Sequence, residues 1–301
     1  MNPEGRGPGA ALLYSAIAIM VLLWSANFII GKIALREFPP LLAGGLRVAL
    51  AGLFMAPAYA WQKTRSSGEV WEKRDAPMLI FLGICGVALN QLFFLMGLGR
   101  TSVAHASFII ATMPIQVLLI AAARKQEKLT ARKLAGMSVA LGGVVLLNTL
   151  PSAARGGTGP TLLGDLFIFL AGLTFAIFTV VGKGVSGRHS GITVNTFGYV
   201  GGGVVLLPLT LWQARGFAFG DVTAAGWMSL VYMALFPSVI CYGIFYWALK
   251  HTSASRIAAF SYLQPALATG MAAALLGERI TAPVIAGGMV IFTGVYLAER
   301  G

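Results

Sequence analysis

The chain has 301 residues, of which 57% are hydrophobic and only 11% charged, with a mean hydropathy of +0.80. A soluble domain carries about 25% charged residues, so the composition excludes a water-soluble globular protein and leaves an integral membrane protein. The formal net charge of +12 does not point to nucleic acid, because the basic residues sit in short gaps between apolar runs rather than on one face or tail.

The N-terminal "MNPEGRGPGA" leads into an apolar stretch of roughly 24 residues. A signal-peptide core is about 7–15 residues long, so a retained first span is expected. A spanning helix needs about 20 predominantly apolar residues. Ten such runs follow in order: 11–35, 40–61, 76–98, 102–123, 132–150, 161–182, 192–213, 226–249, 253–276 and 281–298. The expected fold is therefore all-α, with short connections and no extramembrane domain. Ten spans place both termini on one side. Fifteen of the 22 Lys and Arg residues fall on that side and six on the other, with Arg47 inside the second run. The positive-inside rule then puts both termini in the cytoplasm, as for a multi-pass protein of the cell inner membrane. Cys85 and Cys241 lie within apolar runs and read as buried small side chains rather than as a disulfide or metal ligands.

The two halves repeat. A gapless shift of 151 residues sets "LGRTSVAHASFIIATMPIQVLL" over "LKHTSASRIAAFSYLQPALATG". Thr101 and Ser102 then meet Thr252 and Ser253, and Pro114 meets Pro265. Glu127 meets Glu278, Thr130 meets Thr281, Gly136 meets Gly287, and Gly143 meets Gly294. In the front halves Gly31–Lys32 falls on Gly182–Lys183 and Trp61 on Trp212. Shared hydrophobicity aligns leucines and alanines, but not this ladder. Two five-helix units are expected, 1–150 and 151–301. Because five is odd, the second runs through the membrane inverted, an arrangement typical of secondary transporters.

These residues carry a family resemblance. "LLWSANFIIGKIALREFPPLLAGGLRVALAG" resembles the opening of drug/metabolite transporters. The units "TSVAHAS…P…EKLT" and "TSASRIA…P…GERIT" resemble the EamA domain, once per half. The resemblance implies a ten-helix exporter of small metabolites working by alternating access. Amino-acid exporters, including those of aromatic amino acids, are the preferred comparison. The first half reads "KQEK" where the family has a "GER" pattern, so the motif itself is not assigned to substrate.

Polar side chains at mid-membrane depth are costly in lipid and are the candidate site. Trp24, Asn27 and Gly31 share one helix face, which makes Trp24 a pocket wall or a packing residue and Asn27 a cavity residue. Asn90 and Phe94 share another face. Gln91 corresponds to Tyr242, which pairs with Tyr246 on its own helix; these present hydrogen bonds and rings to a ligand or serve as interhelical glue. Gln264 sits beside Pro265 in the ninth run, mirroring Pro114. The two prolines read as hinges flanking a central cavity or as packed kinks. Arg47 reads as a structural anchor before a carboxylate ligand. Lys32 and Lys183 read as snorkelling or topology residues before substrate gates, and Glu127 and Glu278 as structural acids at the starts of the fifth and tenth helices. His105 reads as a packing residue rather than a proton carrier, and Gly198 and Gly202 mark close helix packing.

None of the ten acidic residues falls at mid-membrane depth in the sequence, with Asp165 nearest, so a facilitator is preferred to a carboxylate-driven antiporter. Neither a cofactor nor a metal is expected, and no catalytic constellation is visible. The expectation is an exporter of small metabolites, amino acids with apolar or aromatic side chains first. Cationic drugs and other metabolites are the alternative substrates. A channel, a scaffold or an intramembrane enzyme is the alternative class. The partners are the small-molecule substrate and the lipid bilayer, and the expected assembly is a monomer or weak dimer.

Overall fold

A computed structural model describes residues 9–65, 73–101, 103–148, 161–186, 188–276 and 282–300. All regular elements among them are helical. A chain in lipid must satisfy every N–H and C=O within its own segment, and helices accordingly form along the apolar runs. In order they are α1 (Ala10–Ala34), α2 (Pro40–Arg65), α3 (Ala76–Leu98), α4 (Val103–Ile110), α5 (Met113–Ala123) and α6 (Ala131–Asn148). There follow α7 (Leu162–Ser186), α8 (Gly191–Ala214), α9 (Ala224–His251), α10 (Ala254–Ala259), α11 (Leu263–Leu276) and α12 (Ala282–Glu299). Six of these, α1, α2, α3, α7, α8 and α9, are long and apolar enough to cross a membrane. Leu53, Leu162, Val204, Trp212, Met228 and Phe292 are each more than half exposed on the outer faces. An apolar surface of this extent belongs against lipid rather than water.

Two helices slip out of α register at matching places. α3 is π-helical over Ile84–Leu89 and α9 over Ala234–Ile240, segments related by the 151-residue shift. In α9 the cause is Pro237, which has no N–H for the carbonyl of Met233. The Ser238 hydroxyl supplies the missing donor to that carbonyl at 2.9 Å. The fourth and ninth runs are also interrupted, just ahead of their prolines. α4 ends at Ile110 and α5 opens with Pro114 in its first turn, where a proline costs no hydrogen bond. α10 passes through a 3₁₀ turn at Phe260–Tyr262 before α11, with Pro265 in the first turn of α11.

The glycine ladder that relates the two halves is a packing face. A Cβ on Gly136 would come within 2.3 Å of the Ala298 backbone nitrogen, and one on Gly294 within 2.3 Å of that of Ala140. So α6 and α12 lie backbone to backbone. Gly198 likewise packs on Gly83, where an added Cβ would meet the Gly198 carbonyl at 2.5 Å.

The helix ends give two expectations their physical content. The ammonium groups of Lys32 and Lys183 are held by backbone carbonyls rather than left to solvent alone. Lys32 donates to the Thr101 carbonyl at 2.7 Å, and Lys183 donates to the Thr252 carbonyl at 2.5 Å and to that of Leu249. Each lysine thus ties the end of its own helix to the matching turn of its own half. Thr130 caps α6 by accepting from the Lys133 amide at 3.1 Å, and the Glu127 carboxylate accepts from the Lys133 side chain in the first turn of that helix at 2.9 Å. The same carboxylate also accepts from the Ser255 amide at 3.0 Å and from the Ser255 hydroxyl. It joins the first half to the start of the α10–α11 run. The His105 side chain and Glu278 lie outside the described residues.

Candidate functional site

Among the described residues, a partly open cavity of ≈ 80 Å³ lies between the helices. Its wall brings together Trp24, Asn27, Asn90, Gln91, Phe94, Tyr242 and Gln264, seven of the eight binding candidates. The eighth, Tyr246, is elsewhere. It is buried in an aromatic cluster with Phe178 and Phe245, because four residues along a helix descend about 6 Å from the cavity wall. Pro114 and Pro265 stand one position beyond the lining residues Met113 and Gln264. Gln264 is therefore explained: its amide faces the cavity, not lipid.

Two residues of the cavity wall tie down the π segments, neither of which lines the cavity itself. A π turn leaves carbonyls without helical partners, and an aromatic side chain from the opposite half meets each one. Tyr242 donates its hydroxyl to the Gly86 carbonyl at 2.6 Å, and Trp24 donates its indole N–H to the Pro237 carbonyl at 3.2 Å. Gly86 and Pro237 are themselves 151 residues apart. Trp24 then stands edge-on to Phe175 and Tyr242, with ring centroids 5.7 and 6.2 Å away. Tyr242→Phe orphans the Gly86 carbonyl and is expected to cost about 1–2 kcal/mol, read as a lower unfolding temperature of the detergent-solubilised protein.

The lining follows the same register. Trp24 and Phe175, Gln91 and Tyr242, Ile110 and Ser261, and Met113 and Gln264 are four pairs 151 apart, and all eight residues line the cavity. The other five lining residues, Asn27, Phe28, Arg47, Asn90 and Phe94, line it alone. Their counterparts Phe178, Thr179, Gly198, Cys241 and Phe245 are buried in packed protein. On one side the cavity is bounded by the Phe28–Phe94 pair, with centroids 5.4 Å apart. On the other it is bounded by the deep stack of Phe178, Phe245 and Tyr246.

Phe28, Ile110, Met113, Phe175 and Ser261 were not among the sequence candidates, and Arg47 reads in the sequence as a structural anchor before a carboxylate ligand. The repeat shift carried a signal for Phe175, since it places that ring on Trp24. Arg47 reaches the wall because Pro237 positions Ser238, whose hydroxyl accepts from the Arg47 Nε at 2.9 Å. Asn90 divides its role: its amide donates to the Ala171 carbonyl of α7 at 2.9 Å while its side chain still lines the cavity. Asn27 Oδ1 is buried without a hydrogen-bond partner.

Among the described residues, an apolar helical bundle closes around a cavity lined by both aromatic and polar side chains, the build of a small-molecule carrier of the membrane. The chain belongs to the EamA-like transporter family, which matches it twice, at residues 11–149 and 162–299. An uncharacterized transporter of Archaeoglobus fulgidus is 28% identical over 93% of this chain and 95% of its own. A probable terminal-alkyne amino-acid exporter of Streptantibioticus cattleyicolor is 27% identical over 95% and 92%. A probable amino-acid metabolite efflux pump of Salmonella typhimurium is 24% identical over 94% and 93%. One solved crystal structure shares the fold with a TM-score of 0.75 over 96% of this chain and 97% of its own, at 17% identity. The chain is a transporter and not an enzyme.

Proposed function

We propose that the protein exports small amino-acid-like metabolites across the cell inner membrane by alternating access. In this reading the ten apolar runs are ten spans, arranged as two five-helix units, 1–150 and 151–301, inverted about an axis in the membrane plane. The observation that carries it is the cavity wall. Four matched pairs line the cavity, and five further positions line it from one half while their counterparts are packed shut. Exchanging the roles of the two halves closes the Phe28–Phe94 side and opens the Phe178–Phe245 side, which is what alternating access requires. The helix breaks ahead of Pro114 and Pro265 are the joints that let each half rock. The basic-residue count puts both termini and the thick aromatic side in the cytoplasm, so the present conformation is closed inward. A wall of Asn, Gln, Trp, Tyr and Phe suits a ligand with a polar head and an apolar body. The printed names of two relatives, an amino-acid exporter and an amino-acid metabolite efflux pump, support amino acids as the substrate class.

The test is uptake of labelled L-phenylalanine into proteoliposomes, with unlabelled competitor and with or without a pH gradient. Saturable, competable uptake that ignores the gradient is expected. Flux that never saturates would indicate a channel, and gradient-driven uptake would remove the facilitator reading.

A further inference from the structure

Among the described residues, Arg47 has no counter-ion. It lies eight residues into α2 and is 2% exposed, which is about 10 Å from the helix start at 1.5 Å per residue. Its Nε is held by Ser238, but Nη1 is buried with no hydrogen-bond partner. The titratable groups that face it are the phenols of Tyr199, Tyr232 and Tyr242 and the thiol of Cys241. All four are neutral at physiological pH. Among the described residues, Glu37, Asp75, Glu127, Asp165 and Asp221 lie in loops, short turns or the first turn of a helix. None makes an ion pair with Arg47. A buried guanidinium left uncompensated is expensive, and this one lines the cavity. The ligand is the natural source of the missing anion. Guanidinium geometry matches a carboxylate with two parallel hydrogen bonds.

The same wall holds a second unsatisfied atom of opposite character. Asn27 Oδ1 is an acceptor without a donor, suited to an ammonium. The rest of the wall, with Trp24, Phe175 and Phe94, is aromatic.

Resting on the transporter reading above, we propose that Arg47 is the carboxylate-binding residue of the cavity. Its substrates are small carboxylates with an apolar or aromatic body, with Asn27 receiving the ammonium when the substrate is an α-amino acid. Amines lacking a carboxylate are not substrates. Ser238 is the positioning residue that aims the guanidinium.

The test uses the full-length protein in nanodiscs and three probes that differ only in their charged groups: L-phenylalanine, 3-phenylpropionate and 2-phenylethylamine. Binding is followed by calorimetry. L-phenylalanine is expected to bind best and 3-phenylpropionate next. 2-Phenylethylamine is expected to bind roughly 10- to 100-fold more weakly than L-phenylalanine, the equivalent of a charge-assisted hydrogen bond. Arg47→Gln is expected to abolish the preference for the carboxylates, and Arg47→Lys to restore part of it. Ser238→Ala, which leaves the guanidinium in place, should weaken the carboxylates a few-fold and leave the amine unchanged. If the amine binds as tightly as the carboxylates, or Arg47→Gln keeps the preference, the proposal is overturned. The same holds if none of the three probes binds. Flux of the amine into proteoliposomes would then keep the transporter reading alive without the carboxylate site, whereas absence of any saturable flux would sink both.

Discussion

Gly136→Leu is expected to leave little folded protein, whereas Gly142→Leu, on the same helix, should be tolerated. At Gly136 the added side chain would enter the backbone of α12, with the Ala298 nitrogen 2.3 Å from the new Cβ and the Gly294 carbonyl 2.8 Å away. Backbone cannot rotate aside as a side chain does, so the two helices must separate along their shared face. Overpacking typically costs about 1–3 kcal/mol, occasionally more. A clash with main chain belongs at or beyond the upper end of that range. Gly142 has nothing within 4 Å of its Cβ position, and a substitution there is expected to stay within about 0.5 kcal/mol. Thermal unfolding in detergent, followed by size-exclusion chromatography of the survivors, separates the two. Equal behaviour would mean that the close approach of α6 and α12 is not what holds the bundle ends together.

Much of this fold was legible because lipid imposes a simple rule. Apolar runs of sufficient length must be helical, and those runs coincide with α1 to α12 to within a few residues. Pro114 and Pro265 marked where two runs are interrupted, since proline withholds a donor whatever surrounds it. The π segments were not legible in the same way. At Pro237 the sequence shows the missing donor, but the slip to a wider turn depends on Ser238 reaching the Met233 carbonyl. In α3 the matching segment holds Gly86 and no proline, and its free carbonyl is explained only by Tyr242, 156 residues away.

The site was legible by depth and not by direction. Asn27, Gln91 and Gln264 are polar residues in mid-run and do face the cavity. Tyr246 shares a helix stripe with Tyr242 but lies one turn lower, in the aromatic stack. Arg47 shows the opposite failure. Its depth was plain, but whether a partner neutralises it depends on which residues the other helices bring near. Among the described residues, the bundle supplies a serine hydroxyl and no carboxylate.

Glu127→Gln is expected to shift the protein toward the conformation that opens at the Phe178–Phe245 side. The carboxylate gathers three donors, from the Ser255 amide, the Ser255 hydroxyl and Lys133. Hydrogen bonds to a charged group are worth about 1.5–3 kcal/mol, so weakening them should change the equilibrium between states by roughly 10- to 100-fold. The protein carries its own reporter. Cys241 is the counterpart of the cavity residue Asn90 and is now fully buried, so exchanging the halves brings it to the cavity wall. In a Cys85→Ala background, a small membrane-impermeant thiol reagent should modify Cys241 slowly in the parent and about 10- to 100-fold faster with Glu127→Gln. The pH dependence follows from the carboxyl group's surroundings. Burial pushes the Glu127 carboxyl up, but the bonds from Lys133 and Ser255 and the Lys133 charge outweigh it and hold the group below its ordinary value. A group depressed in the folded state contributes fully above its ordinary value, near 4.3, and its contribution fades as pH falls through the depressed value. The Glu127 contact therefore stays intact from about pH 6 to about pH 8. After correction for thiol ionisation, the Cys241 rate should be flat across that interval in both proteins. Equal rates in the parent and in Glu127→Gln would show that this carboxylate does not hold the end closed, and a rate that climbs toward pH 6 would assign the closure to a different titrating group.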